Sequence, residues 1–470
     1  LGHIQARTAS GAALPVPVVQ MCSDHILAII LVACTIFASL AWIGILRWAV
    51  PAPALAVCVI TAAAVSLAFP YVATTDPYAY ALYGFQAAHG HTPYLTVQNS
   101  AAAPSTALRT LYDFFPADST NRRANYGPAA VLEYHAAALA ARDSLTRFLN
   151  LQRLVNISLI CVLGWLLTLL RPPGQRKIDA AFSAFHPLLL IESVAFMHGD
   201  ILMMVLLCLA LLAYRKDRVA VCASLIVLAA EVRVIAGLAL IAVLMQCAQD
   251  RRTRDLLKAL SASSATFAAT AALAIVTYHA FTLGGSPAID AYSSPLILAF
   301  DSFGVSLQHL SQGGSLQALF GLTLVIIALR ARNYRFVPLS ALAILPVLRG
   351  WYCQWIVPQI ALEAKASVRY AGAALAGVAI IAEWPSMTGN SDLTTWAIIL
   401  SLQWLPPVLA LVICESRSSR ERLPRAAQVP PTSVPLRSTT QGRFRRAPSV
   451  YTHPMKIAPD LDAAPDREPA

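Results

Sequence analysis

Ile26–Val50 reads ILAIILVACTIFASLAWIGILRWAV, twenty-five residues with a single charge, Arg47. A crossing of the bilayer core needs about 20 apolar residues in a helix, so this stretch alone predicts a retained membrane span. It is too long for the apolar region of a cleavable leader. Similar runs follow at Ala52–Val72, Ile157–Leu170, Ser261–Phe281 and Trp396–Cys414. Across the 470 residues 57% are hydrophobic and only 13% charged, with a mean hydropathy of +0.61. Soluble domains carry roughly twice that share of charge. The sequence therefore predicts an all-α polytopic membrane bundle of about eleven to thirteen apolar helices.

The formal net charge of +11 does not point to nucleic acid. The basic residues fall in short clusters between apolar runs: Arg171–Lys177, Tyr214–Arg218, Asp250–Lys258, Arg330–Arg335 and Ser416–Arg425. Placing all five in the cytoplasm satisfies the positive-inside rule. Met197–Asp200, Glu231–Arg233, Thr282–Pro295, Arg349–Trp351 and Pro385–Thr394 then face outside, as does a long loop at Thr74–Pro128. Ile201–Tyr214 and Val219–Glu231 are short for a straight crossing. They continue through polar residues or are broken helices inside the bundle. Pro128–Ala141 is apolar but short, and suits an interfacial or re-entrant helix.

Residues 1–25 form an N-terminal extension, 26–414 the membrane domain, and 415–470 a basic tail rich in Arg, Pro, Ser and Thr. The tail has no apolar period and is expected to be disordered and cytoplasmic. Nearly all of the nine cysteines lie inside apolar runs without metal-ligand spacing, as small buried hydrophobes do.

Three polar clusters interrupt the outer side: Asp76 with Tyr78, Tyr80 and Tyr83; His198-Gly199-Asp200; and Glu231-Val232-Arg233. A carboxylate can take a proton from a hydroxyl, a cation can hold a phosphate, and a His beside an Asp can do either or bind a divalent cation. Each cluster also has a plainer explanation. Asp76 before Pro77 suits a helix cap with Pro in the first turn. His198 and Asp200 could cap a helix starting near Ile201. Glu231 and Arg233 could pair, although residues two apart do not face each other on a helix. Ionisable groups at membrane segments are nonetheless functional candidates, because burying them is costly.

Thr75-Asp76-Pro77-Tyr78-Ala79-Tyr80 followed by His91-Thr92-Pro93-Tyr94 resembles the S-D-x-Y-R-Y … G-x-N-P-Y loop of GT-C-type bacterial membrane glycosyltransferases, which use polyprenyl-phosphate sugars and are mannosyltransferase-like. Tyr126-Gly127-Pro128-Ala129 resembles their Y-P-P-L. Phe185–Glu192 with Met197–Asp200 resembles their N-P-L-x-L-x-E … G-H-N-D. Glu231-Val232-Arg233 falls at their L-x-K, and Arg349–Pro358 resembles their W-Y-x-x-W-x-x-P. Five motifs in order span Ala52–Pro358. Ala79, His91-Thr92, Gly199 and Arg233 depart from the pattern.

The resemblance implies an inverting hexosyltransferase in the cell membrane with its site facing outside. An acceptor hydroxyl of a glycan or lipid would attack the anomeric carbon of a polyprenyl-phosphate sugar. Asp76 matches the family's catalytic acid and would be the base. Arg233 would hold the departing phosphate, while His198 and Asp200 would position acceptor or phosphate. Tyr80, Tyr126, Glu231 and Arg349 complete the substrate- and phosphate-binding candidates. The cytoplasmic loops contain no DxD motif and no Gly-rich phosphate loop, which fits a lipid-linked donor. Two other classes stay open: a lipid or glycolipid transporter, against which the absence of repeat halves counts, and a non-catalytic, degenerate family member, which the departures would suit.

Overall fold

The computed structural model describes residues 3–7, 13–20, 25–47, 50–70, 72, 74–95, 103–115, 123–172, 174–280, 354–362, 372–376 and 379. Arg349, the span Trp396–Cys414, the loops Thr282–Pro295 and Pro385–Thr394, and the tail 415–470 lie outside the described residues.

The fold is an all-α membrane bundle, and among the described residues a small β ribbon stands at its start. Strand β1 (His3–Arg7) pairs antiparallel with β2 (Ala13–Gln20), His3 opposite Gln20 and Arg7 opposite Ala13. Leu14 and Val16 alternate with an exposed Pro15 and point into the core, the period-two pattern of a half-buried strand. The sequence reading has only an extension here.

Helices α1 (His25–Arg47) and α2 (Ala52–Leu67) follow, then α3 (Asp76–Ala88) and α4 (Thr106–Phe114) in the long loop. Next come α5 (Pro128–Ala141), α6 (Leu145–Leu170) and α7 (Lys177–Ser183). The turn α8 (Pro187–Leu189) runs into a π-helical segment, Leu190–Ala195. Then α9 (Asp200–Arg215), α10 (Val219–Val232), α11 (Gly237–Gln249) and α12 (Thr253–Tyr278) complete the continuous part.

Among the described residues, 145–170, 177–195 and 253–278 are long and apolar enough to cross a membrane, and four shorter apolar helices accompany them. The first of these shows how a span is built with two faces. Leu154, Val162, Trp165 and Leu169 of α6 are exposed, while Gln152, Arg153, Asn156, Ile160, Leu163 and Leu167 are buried. A stripe of large apolar side chains left uncovered, repeated on α2 and α12, is what a lipid-facing surface requires. Arg153 on the inner face donates to the carbonyls of Leu67, Phe69 and Ala195. It thereby closes the C-terminal ends of α2 and of the π segment, where helix dipoles favour a cation.

The basic turns gather at one end. Arg215 donates to Leu170 O at 2.6 Å, and Arg252 bridges to Asp217 at 3.1 Å, so the connections after α6, α9 and α11 are neighbours. The N-terminus of α9 and the C-terminus of α10 sit at the other end. The 16 residues of α9 put about 24 Å between them. The helix α10 stops at Arg233, whose backbone is extended, and a 3-10 turn at Val234–Ala236 restarts the chain into α11. Of the two expectations for these short spans, α9 meets the first, continuing by one polar residue at each end to Asp200 and Arg215, and α10 the second, a helix broken before α11.

Candidate active site

Within the long loop, α3 is an internal element. Every residue of α3 from Pro77 to Ala87 is buried, packed against α4 and α5. Its N-terminal end is tied to the ribbon: the Tyr78 hydroxyl donates to Val16 O and accepts from Val16 N–H. The helix starts one residue earlier than the capping argument expects. Thr75 is the N-cap, without a side-chain capping bond, and Asp76 and Pro77 occupy the first turn. The Asp76 carboxylate therefore does not cap the helix, and it faces His198, with Oδ2 3.5 Å from Nδ1. Neither His198 nor Asp200 is the N-cap of α9; Gly199 between them takes that position.

His198 is placed by an unusual stretch of backbone. The π segment precedes it, and π turns are rare and concentrate at functional sites. Met197 sits at φ +60°, left-handed space that a non-glycine residue enters at a cost. Asn156 of α6 holds the turn, its Nδ2 donating to Ser193 O at 2.5 Å and reaching His198 O at 3.4 Å. Ser193 in turn donates to Gln354. Gly199 leaves space that Tyr134 fills; a Cβ there would lie 2.7 Å from the Tyr134 hydroxyl.

Arg233 closes the group from α10. Its Nε donates to Asp200 Oδ1 at 2.6 Å, and its guanidinium lies 4.5 Å from the centroid of the Tyr126 ring. The second oxygen of Asp200, Oδ2, accepts from Trp355 at 3.1 Å. The Tyr80 hydroxyl reaches Asp76 at 3.4 Å and Tyr126 at 3.0 Å. Tyr134 stacks flat on Tyr80, 4.7 Å between centroids. Burial pushes the phenols of Tyr80, Tyr83, Tyr126 and Tyr134 well above the usual tyrosine range, so they stay neutral hydrogen-bonding groups.

Asp76, Tyr80, Tyr126, His198, Asp200 and Arg233 thus meet, although the sequence scatters them over more than 150 residues. Glu231 does not join them. It accepts from Thr270 of α12 instead, and the cation of Arg233 is turned to Asp200. Its backbone serves the site: Gly127 packs on it so closely that a Cβ would lie 2.5 Å from Glu231 O. That contact seats the Tyr126 loop beside Arg233. Gly127→Ala is expected to cost about 1–3 kcal/mol by overpacking and to lower activity. Thermal unfolding in detergent together with turnover checks both.

Several residues of this centre were not chosen from the sequence. Glu192, fully buried, places Oε2 3.5 Å from His198 Nε2. Its signal was a lone acid inside the apolar run Leu188–Phe196. Trp355 stands in the late tryptophan motif, and Gln152 and Asn156 form a polar face of α6 that precedes the apolar run. Gln152 links Asn156 to Glu133 of α5, donating to Glu133 Oε1 at 2.8 Å. Burial pushes the Glu133 carboxyl up to about 7, with the Gln152 donation opposing it.

A raised carboxyl pKa favours folding with the proton on. That contribution is complete below the ordinary value near 4.5 and is lost as pH rises through about 7. Thermal stability in detergent is expected to fall between about pH 4.5 and pH 7, and Glu133→Gln to flatten that fall. An unchanged slope in the variant would place the titration elsewhere.

Among the described residues no group of three or more His, Cys, Asp or Glu is arranged to hold a metal ion. A family model described as alpha-(1->6)-mannopyranosyltransferase, N-terminal domain, matches residues 4–249, just over half of the chain. A comparison with curated proteins found no match.

Proposed function

The chain belongs to the alpha-(1->6)-mannopyranosyltransferase family, and from that premise we propose that it moves a mannose-like hexose from a polyprenyl-phosphate donor to a hydroxyl of a glycan or lipid acceptor, with inversion. Membership carries glycosyl transfer in a membrane protein, with a sugar donor and an acceptor. The donor's lipid, the stereochemistry and the roles below are our reading. The loop 74–128 is its catalytic loop within a membrane domain spanning 26–414, and the site opens on the outer face of the cell membrane.

One observation supports this most: Asp76, His198, Asp200 and Arg233 converge from three separate stretches of chain. Asp76, the partly exposed acid of the group, takes the proton of the attacking hydroxyl. Arg233 receives the departing phosphate. Its orientation is fixed from behind by Asp200 and from the side by the Tyr126 ring, and a guanidinium suits bidentate oxygen contacts. Asp200, with both oxygens engaged, acts by holding Arg233 rather than by touching substrate. Tyr80 and Tyr126 supply neutral hydroxyls around Asp76. A displacement of this kind needs positioned donors where charge develops on the leaving oxygen, and the cation stands there.

The test is direct. Purified protein in liposomes is given polyprenyl-phosphate mannose and a panel of other polyprenyl-phosphate hexoses, with glycan and glycolipid acceptors. Release of polyprenyl phosphate matched by sugar on the acceptor is expected for the mannosyl donor. Turnover of a nucleotide sugar alone, with none from any lipid-linked donor, would overturn the reading.

A further inference from the structure

A single base needs no buried apparatus behind it, yet Asp76 has one. His198 lies between two carboxylates, Nδ1 3.5 Å from Asp76 Oδ2 and Nε2 3.5 Å from Glu192 Oε2. Exposure drops along this line, from 27% for the Asp76 side chain to 0% for His198 and 0% for Glu192. A carboxylate fully buried at the end of an apolar segment is costly to retain. The ring it faces is fixed by the π segment, by the left-handed Met197 and by Asn156 on the carbonyl of His198. Exposed reacting group, imidazole behind it and buried acid behind that is the order in which a base is oriented by a third group.

Resting on the reading of Asp76 as the base, we propose that Glu192 is a positioning residue that acts on Asp76 through His198 and receives the proton released in the transfer. As the acceptor oxygen bonds to the anomeric carbon, its O–H proton passes to Asp76. The bond from that carbon to the phosphate oxygen breaks, and its electron pair leaves with the phosphate. Asp76 then gives the proton to His198 Nδ1 while the proton on Nε2 passes to Glu192. Asp76 ends as a carboxylate again, the imidazole stays neutral with its proton on the other nitrogen, and Glu192 ends as a neutral acid. The reverse shuttle, with water as the acceptor of the proton at Asp76, resets the line. In the resting state the His198 proton is assigned to Nε2, the nitrogen that faces the Glu192 carboxyl 3.5 Å away.

Two measurements test this on the full chain. In steady-state transfer, where the return of Asp76 to a carboxylate is part of every cycle, the rate of the native enzyme should bend downward with the fraction of D₂O, as the two protons of the His198 step move together. Glu192→Gln keeps the size but accepts no proton. It should lower kcat about 10²-fold, leave KM within about twofold and make that dependence straight, with Glu192→Asp recovering part of the loss. A straight dependence in the native enzyme, or a Glu192→Gln effect confined to KM, overturns the proposal. The second measurement needs no turnover. ¹⁵N spectra of labelled histidine should show His198 protonated on Nε2, a preference lost in Glu192→Gln; an unchanged His198 signal overturns the relay. If no lipid-linked sugar is turned over, the donor reading fails while the spectra still decide the role of Glu192.

Discussion

Asp76→Asn should slow sugar transfer by about 10²–10⁴-fold, the contribution of a positioned general base, while leaving the protein as stable as before. The expectation of unchanged stability comes from the helix start. Thr75, not Asp76, is the N-cap of α3, and Pro77 presets the first turn. Asn has nearly the same shape and can still accept from the Tyr80 hydroxyl 3.4 Å away. What it lacks is affinity for a proton. The loss should appear in kcat, with KM for donor and acceptor little changed, because a base acts in the transition state and not in binding. Single-turnover rates beside a melting curve make the comparison. Near-native turnover in Asp76→Asn would remove the base from Asp76 and leave His198 as the group to test next.

How much of this was legible beforehand depends on the range of the interaction concerned. The span α6 was visible from composition, but its first twelve residues were not, because Gln152, Arg153 and Asn156 break the apolar run there. Those polar residues are inside the bundle, Arg153 and Asn156 bonded to carbonyls of distant segments and Gln152 to the Glu133 carboxyl, and composition cannot tell an inward polar face from a loop. The start of α3 was placed within one residue by Pro77, a local signal. The β ribbon went unseen because its partners are short, and because its docking depends on Tyr78, more than 60 residues away. Asp76, His198 and Arg233 were each chosen for their chemistry at a segment end. Their meeting was only an expectation until α3, α9 and α10 were seen to bring them together. Glu192 shows the opposite failure. The apolar run that contains it argued for burial, while its partner His198 was counted with the loop that follows.

The pair Arg233 and Asp200 should give the second large effect, and it separates charge from geometry. Arg233→Ala leaves the fully buried Asp200 carboxylate without the cation 2.6 Å away. Removing one partner of a buried pair costs about 3–5 kcal/mol, since the remaining charge is stranded. Loss of the phosphate-holding group is expected to abolish measurable transfer as well. Arg233→Lys keeps the charge within reach of Asp200 but has no planar fork to lie over Tyr126 and grip two oxygens. It should therefore hold most of the stability and lose more in kcat/KM than in melting temperature. Asp200→Asn combined with Arg233→Ala is the decisive variant of the series, since it removes the stranded charge. It should melt higher than Arg233→Ala alone, the non-additivity expected of residues in contact, and yet remain inactive. Should the double variant recover transfer, the phosphate is held elsewhere. Should it melt no higher than the single one, Asp200 carries no charge that Arg233 must balance, and the two meet only by packing.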